Sequence, residues 1–189
     1  MPANHEILKN LKTERLILKP ISQKYKEEIY NHFSDPNVTK YMDIDVLESL
    51  EKAEEIISYY TEREDKEECY RWVVLKNDDN TFLGTCGFNS WEKQRANRAE
   101  IGYDLSKKYW KKGFMSEAVV RLIKHGFEIL NLHRIEAKVT EGNTPSCKLL
   151  EKLHFKKEGF LRDYNYWKGD YVSEYMYSLL ESEFEKYYK

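Results

Sequence analysis

Between Ala99 and Leu130 the apolar positions change their spacing, and the change marks a strand giving way to a helix. Ile101, Tyr103 and Leu105 alternate with polar neighbours, as the buried face of a strand does. Met115, Val119, Leu122, Ile123, Gly126, Phe127 and Leu130 then fall on one stripe of a helix running from about Gly113 to Leu130. The same two periods divide the rest of the chain. Arg15 to Lys19 alternates as a short strand, which Pro20 stops. Ser22 caps a helix with Tyr25, Ile29 and Phe33 on its apolar face, and Asp35-Pro36 ends it. A second helix is predicted from Val46 to Arg63, with Leu47, Leu50, Ala53, Ile57 and Tyr60 on one side. Trp72 to Leu75 and Thr81 to Phe88 are strands joined by the turn chemistry of Asn77-Asp-Asp-Asn. Beyond the long helix come a strand at Arg134 to Thr140 and a helix from Thr144 to Leu153. Asn143 caps that helix, with Pro145 in its first turn. Strands at Phe155 to Arg162 and Tyr171 to Leu179 close the pattern. Strands first and helical crossovers later predict a mixed, partly antiparallel α+β sheet in a single domain over residues 1–189, with 1–12 as a loose polar lead-in.

The junction between strand and long helix carries chemistry of its own. Lys107, Lys108, Lys111, Lys112 and Gly113 stand just before the helix start. Unpaired backbone N–H groups and the positive end of the helix dipole suit that place to a phosphate or pyrophosphate. An ordinary loop with solvated lysines is the competing reading. Neither a Gly-x-x-x-x-Gly-Lys-Ser/Thr run nor a Gly-x-Gly-x-x-Gly run occurs. A nucleotide-like ligand therefore needs another scaffold.

Composition narrows the partners. A net charge of −2 over 189 residues supplies no field for nucleic acid or anionic membrane. No apolar run reaches the roughly 20 residues of a spanning helix, and Met1 to Glu6 lacks a signal-peptide core, so a cytoplasmic protein is expected. Cys69, Cys86 and Cys147 are odd in number and lack Cys-x-x-Cys spacing, which argues against a disulfide framework and a zinc site. The five histidines show no ligand spacing and read as surface or packing residues, with His133 packed or hydrogen-bonded at its junction.

Ala99-Glu-Ile-Gly-Tyr, Tyr109-Trp-Lys-Lys-Gly-Phe-Met-Ser-Glu-Ala, Asn131-Leu-His-Arg-Ile-Glu-Ala and Asn143-Thr-Pro-Ser resemble the GNAT superfamily of acyl-CoA N-acyltransferases. Together with Thr13-Glu-Arg-Leu-Ile-Leu-Lys-Pro they resemble its branch that acetylates ribosomal-protein N-termini, over about Leu11 to Leu180. The resemblance implies a central, largely antiparallel twisted sheet flanked by about four helices, acetyl-CoA as co-substrate and no metal. It implies that the CoA pyrophosphate is held by Lys108 and by Trp110, Lys111, Lys112, Gly113, Phe114, Met115 and Ser116, mostly through backbone N–H groups. Met115 stands where the family has a small residue, and Lys111 where glycine is frequent. The pantetheine arm is implied to pair with backbone near Tyr103 and Leu105, in a splay between the Ala99 and Arg134 strands.

Acyl transfer to an amine needs a proton acceptor for the amine and a donor for the leaving sulfur. Glu100, set mid-strand among apolar residues that would raise its pKa, is the candidate base; pairing with Arg98 or Arg134 as a structural carboxylate is its alternative. Ser146, in the first turn of the Asn143-capped helix, is the candidate acid, and a second capping hydroxyl is its alternative. Many family members place a tyrosine one turn further on, where this chain has Leu150; Asn143 is implied to bond CoA. Cys147 invites a covalent route, but no histidine is placed to activate it, and a small core residue fits better. Glu62 to Glu68 and the acidic residues upstream would draw a cationic acceptor or form a solvated helix face. Tyr41, Trp91 and Tyr164 to Trp167 are candidate acceptor walls.

The expected activity is acetyl transfer from acetyl-CoA to a peptide or protein N-terminal amine. The rivals are the same chemistry on a polyamine, amino acid or aminoglycoside, and a non-catalytic CoA-binding module. An exposed sheet edge would allow a homodimer.

Overall fold

The computed structural model describes residues 7–189. Eight strands form one sheet in the order β1-β2-β3-β4-β5-β6-β8-β7, namely β1 (Leu11–Lys12), β2 (Leu16–Pro20), β3 (Tyr70–Lys76), β4 (Phe82–Glu92), β5 (Arg98–Leu105), β6 (Arg134–Thr140), β8 (Asp170–Leu180) and β7 (Lys156–Trp167). Every neighbouring pair is antiparallel except β5 with β6. The expected mixed α+β sheet is present. Among the described residues it carries six α-helices where about four were expected: α1 (Lys26–Phe33), α2 (Pro36–Thr39), α3 (Leu50–Asp65), α4 (Phe114–Glu128), α5 (Thr144–Lys152) and α6 (Glu181–Tyr188).

Two apolar cores sandwich the sheet. One, built on Trp72, Phe88, Leu122, Ile135 and Leu179, holds α4 and α6. The predicted stripe of α4 is buried in full, and a Cβ on Gly126 would stand 3.0 Å from Phe88 and Ile135, which is why a glycine lets this helix lie so close to the sheet. The other core, around Ile29, Phe33, Ala53, Ile57 and Val73, seats α1 and α3 on the opposite face.

Several boundaries moved for physical reasons. Asp35-Pro36 ends α1 and also starts α2, because Asp35 Oδ1 accepts from Asn37 N at 2.9 Å and Pro36 occupies the first turn. The helix predicted from Val46 starts at Leu50. Leu47 is instead tied back to α1, through Leu47 N to Phe33 O at 3.1 Å and Ser34 Oγ to Leu47 O at 2.9 Å. From Ile7 on, the lead-in is anchored and not loose: Ile7 and Leu11 are buried, His125 Nε2 donates to Ile7 O at 2.7 Å and Trp72 Nε1 to Lys9 O at 3.2 Å. Residues 1–6, with His5 and the signal-peptide reading, lie outside the described residues. No helix among the described residues is long and apolar enough to cross a membrane.

Candidate active site

The parallel pairing of β5 with β6 covers only Arg98 to Glu100 against Arg134 to Glu136. From Ile101 onward the two strands part, and the sheet opens into a cleft. On the β4 side a bulge between Phe88 and Ser90 leaves Asn89 outside the ladder, bending β4 beside the cleft. A cavity of about 430 Å³ fills the gap and reaches both faces of the sheet. From one face Tyr103, Asn143 and Ser146 enter it; from the other come Glu100, Lys138 and Glu174.

Where β5 runs out, the chain turns through a 3-10 turn at Lys107–Tyr109 into α4. Lys111 (φ +60) and Gly113 (φ +80) both lie in left-handed backbone, a conformation that favours glycine, so a lysine at 111 carries a cost of roughly 1–2 kcal/mol. The opening Thr13–Arg15 segment braces this loop. Arg15 donates through Nη1 to Lys112 O at 3.1 Å and through Nε to Glu117 Oε2 at 2.7 Å, and its guanidinium lies 4.5 Å from the Phe114 ring centre. Glu117 also accepts from Thr13 Oγ1 at 2.5 Å and Arg15 N at 2.9 Å. Burial would raise the Glu117 carboxyl, but these hydrogen bonds and the Arg15 charge hold it below its ordinary value. Arg15→Ala is therefore expected to weaken acetyl-CoA binding roughly tenfold with kcat at saturation retained. Isothermal titration beside saturation kinetics measures both, and unaltered affinity would remove Arg15 from this role.

The loop residues divide by what they present. Lys108, Lys111 and Lys112 are exposed, whereas Met115 points its side chain into the core and leaves only backbone at the helix start. The large residue at 115 thus does not fill the cradle. Trp110 donates Nε1 to Leu105 O at 2.6 Å, so this carbonyl, expected to face the pantetheine arm, is already bonded. Phe114 and Ser116 are half-buried at the first turn of α4. Free N–H groups at a helix start, two left-handed residues and exposed lysines fit a pyrophosphate, and the parted strands fit an extended arm.

The cleft's chemical groups are assembled from distant stretches. Asn143 caps α5 as predicted, Oδ1 accepting from Ser146 N at 3.4 Å. Ser146 Oγ lies 2.8 Å from Tyr103 Oη. Burial pushes the Tyr103 phenol well above its ordinary value, which keeps it a neutral hydroxyl. A tyrosine hydroxyl therefore stands at the helix start although the helix itself carries Leu150, which is buried in the core. Cys147 is half-buried beside that core. Glu100 pairs with Lys138, Nζ to Oε2 at 3.0 Å, and not with Arg98 or Arg134. Those arginines bind Glu136, and Arg134 also binds Glu158.

Some functional residues escaped the sequence reading. Glu174 of β8 is buried in the cavity wall, bonded by Asn165 Nδ2 at 3.1 Å. His32, read as an ordinary surface or packing residue, is buried and donates Nε2 to Asp104 Oδ1 at 2.6 Å. Asp104 also accepts from Arg71 Nη2 at 2.5 Å, Thr85 N at 2.8 Å and Thr85 Oγ1 at 2.6 Å. Arg71 reaches on to Asn89 Oδ1 at 3.0 Å and Gly102 O at 3.3 Å, fixing the bulge and the strand that line the cleft. Burial works against the Asp104 charge, yet His32, Arg71 and Thr85 outweigh it and hold the carboxyl down at about 2. Period-two patterning marks Asp104 only as the polar face of a strand, so no signal in the sequence announces this network. Tyr41, Tyr166 and Trp167 line the cavity as expected; Trp91 packs on Tyr70, and Tyr164 faces a separate surface groove. The Glu62–Glu68 run is also outside the cavity, with Glu68 bound to Arg63 and Glu67 to Lys93. The His133 ring is largely exposed, 3.7 Å from Glu181, so the residue is held at its junction by backbone hydrogen bonds with Asn97 O and Glu181 N and not by packing.

Comparison with known proteins agrees with this geometry. The model of the acetyltransferase (GNAT) domain matches residues 15–156. A protein of Bacillus licheniformis described as the uncharacterized N-acetyltransferase p20 is 44% identical over 177 residues, 94% of this chain and 99% of that one. The ribosomal protein uS5 alanine N-acetyltransferase of Escherichia coli is 31% identical over 87 residues, 46% of this chain and 45% of that one. A GNAT-family acetyltransferase structure from Bacillus anthracis superposes with a TM-score of 0.82 at 28% identity, covering 93% of this chain and 100% of the other. RimJ of Mycobacterium smegmatis, solved in complex with CoA-disulfide, shares the fold with a TM-score of 0.86 at 19% identity, covering 94% and 90%. With the parted strands, the helix-start cradle and these likenesses together, the chain belongs to the GNAT family and is an acetyl-CoA-dependent N-acetyltransferase.

Proposed function

We propose that the acceptor is the N-terminal amine of a peptide or protein, of the alanine- or serine-starting ribosomal type, and that it attacks the thioester directly. The observation that carries this reading is a cleft open on both faces of the sheet, with hydroxyls on one side and carboxylates on the other. Acetyl-CoA would lie against α4 and α5, held by Lys108, the loop from Trp110 to Ser116, Asn143 and the backbone at Tyr103, with the Leu105 carbonyl kept by Trp110. The amine would approach over the opposite face, between Tyr41, Tyr166 and Trp167. Glu100 acts on the amine side as a fixed negative charge. The Ser146 hydroxyl, held by Tyr103, donates to the leaving sulfur. The partial likeness to the uS5 alanine acetyltransferase favours a peptide acceptor. Asp43, Glu100 and Glu174 in the same cavity favour a second reading, a polyamine.

Two measurements separate these readings. With ~1 mM acetyl-CoA and a dissociation constant near 10 μM, unfolding should cost roughly 2.7 kcal/mol more and Tm should rise roughly 5–10 °C. Free-thiol release should then accelerate with Ala- or Ser-starting peptides and not with spermine. The opposite order would move the assignment to a polyamine, and no release with any amine would leave a binding module.

A further inference from the structure

The carboxylate chosen from the sequence is the less suitable of two at the cleft to take up a proton. Glu100 is engaged by Lys138 in an ion pair at 3.0 Å, which fixes its carboxylate in place. Glu174 differs in its surroundings. It lies on β8 opposite Thr140 of β6, on the same face of the sheet as Lys138, and lines the cavity that Asn143 and Ser146 enter from the other face. It is 8% exposed and lines the same cavity as Glu100, Tyr103 and Ser146. One of its oxygens accepts from Asn165 Nδ2 at 3.1 Å, the one hydrogen bond to its carboxylate among the described residues. An amide donor positions the group without neutralising it.

We propose that Glu174 is the proton acceptor of the reaction, with Asn165 as the residue that positions it, while Glu100 and Lys138 hold the field into which the amine docks. This rests on the acetyl-transfer reading above. The acceptor's ammonium first gives one proton to the Glu174 carboxylate. The freed nitrogen lone pair forms the N–C bond to the acetyl carbon, and the C–S bond breaks with its electron pair on sulfur. The second amine proton replaces the one that Ser146 gives to sulfur, and Glu174 returns its proton to solvent through the open cleft. The groups facing Glu174 are Lys138 on β6, Glu100 on β5, Asn165 on β7 and Asp43 in the loop after α2. Burial raises its carboxyl, Lys138 and Asn165 lower it, and Glu100 and Asp43 raise it, with a net upward displacement. A base displaced toward working pH is stronger than an ordinary carboxylate.

The test uses the full chain, acetyl-CoA and an Ala-starting peptide, an Ser-starting peptide or spermine, whichever the wild type turns over. Glu174→Gln keeps the shape and can still meet Asn165. It is expected to lower kcat roughly a hundredfold or more and to abolish the acidic limb of the kcat–pH profile. Its acetyl-CoA thermal shift should stay at the wild-type value, and Glu174→Asp should restore part of the rate together with the limb. Glu100→Gln should lower the rate with the limb retained. Near-wild-type turnover by Glu174→Gln, an unchanged limb in it, or loss of the limb in Glu100→Gln alone would each overturn the proposal. If the wild type binds acetyl-CoA but releases thiol with none of the amines, the acetyl-transfer reading fails first, and this inference falls with it.

Discussion

Asp104→Ala is expected to lower the free energy of unfolding by about 3–5 kcal/mol, a large share of what a domain of this size possesses. The reason lies in what the substitution leaves behind. Arg71 is buried with its guanidinium between Asp104, Thr85 and Asn89, and His32 is buried with its ring on Asp104. Without the carboxylate, a buried cation keeps only neutral partners, and desolvation of that charge is no longer offset. Urea unfolding of the variant and the wild type measures this, and a loss under 1 kcal/mol would show that the network contributes shape alone. Asp104→Asn retains the shape and should lose less.

The same carboxylate sets an acid limit. Its folded value of about 2 lies below the 3.8 of an ordinary aspartate, so the unfolded chain binds the proton first as pH falls. The stabilisation, about 2 kcal/mol, is complete above roughly pH 4 and disappears as pH falls through 2. His125 acts earlier. Burial lowers its folded value from 6.5 to about 4, so stability declines between those two pH values as the unfolded imidazole takes up a proton. An Asp104→Asn variant should lose the lower phase of acid unfolding and keep the upper one.

Glu100→Gln is expected to reduce kcat on the order of a hundredfold, with acetyl-CoA affinity changed less than about twofold. The cause is the partner. Lys138, freed of its 3.0 Å ion pair, keeps only the more distant Glu174 carboxylate to offset its ammonium in the cleft that a cationic amine must enter. The acetyl-CoA side is served by other elements, α4 and α5, and keeps its contacts. Saturation kinetics with calorimetric acetyl-CoA titration reads both quantities, and unchanged turnover would remove Glu100 from catalysis. The double substitution Glu100→Gln with Lys138→Met should recover part of the loss, because no bare charge is left behind.

Local physics decided much of this molecule, and the sequence displays local physics. The α4 stripe, the Asn143 cap, the turn between β3 and β4 and the basic loop before Gly113 depend on residues within a few positions of one another. Periodicity and capping chemistry therefore reveal them, and the family motifs in the same stretches name the chemistry. The terminal helix α6 escaped because its first turn is capped by Glu183 reaching back to Leu180 N at 3.0 Å, and not by a conventional capping residue. What the sequence could not decide was which side chains meet. Glu100 has arginines two residues away and across the strand, yet Lys138 is the cation that its face of the sheet brings near. Tyr103 finds Ser146 across 43 positions, and His32 finds Asp104 across 72. Glu174 becomes part of the site only because β8 lies beside β6, placing its carboxylate in the wall of the same cavity. Burial and charge pairing are properties of the sheet order, and the sheet order exists only once the chain has closed on itself.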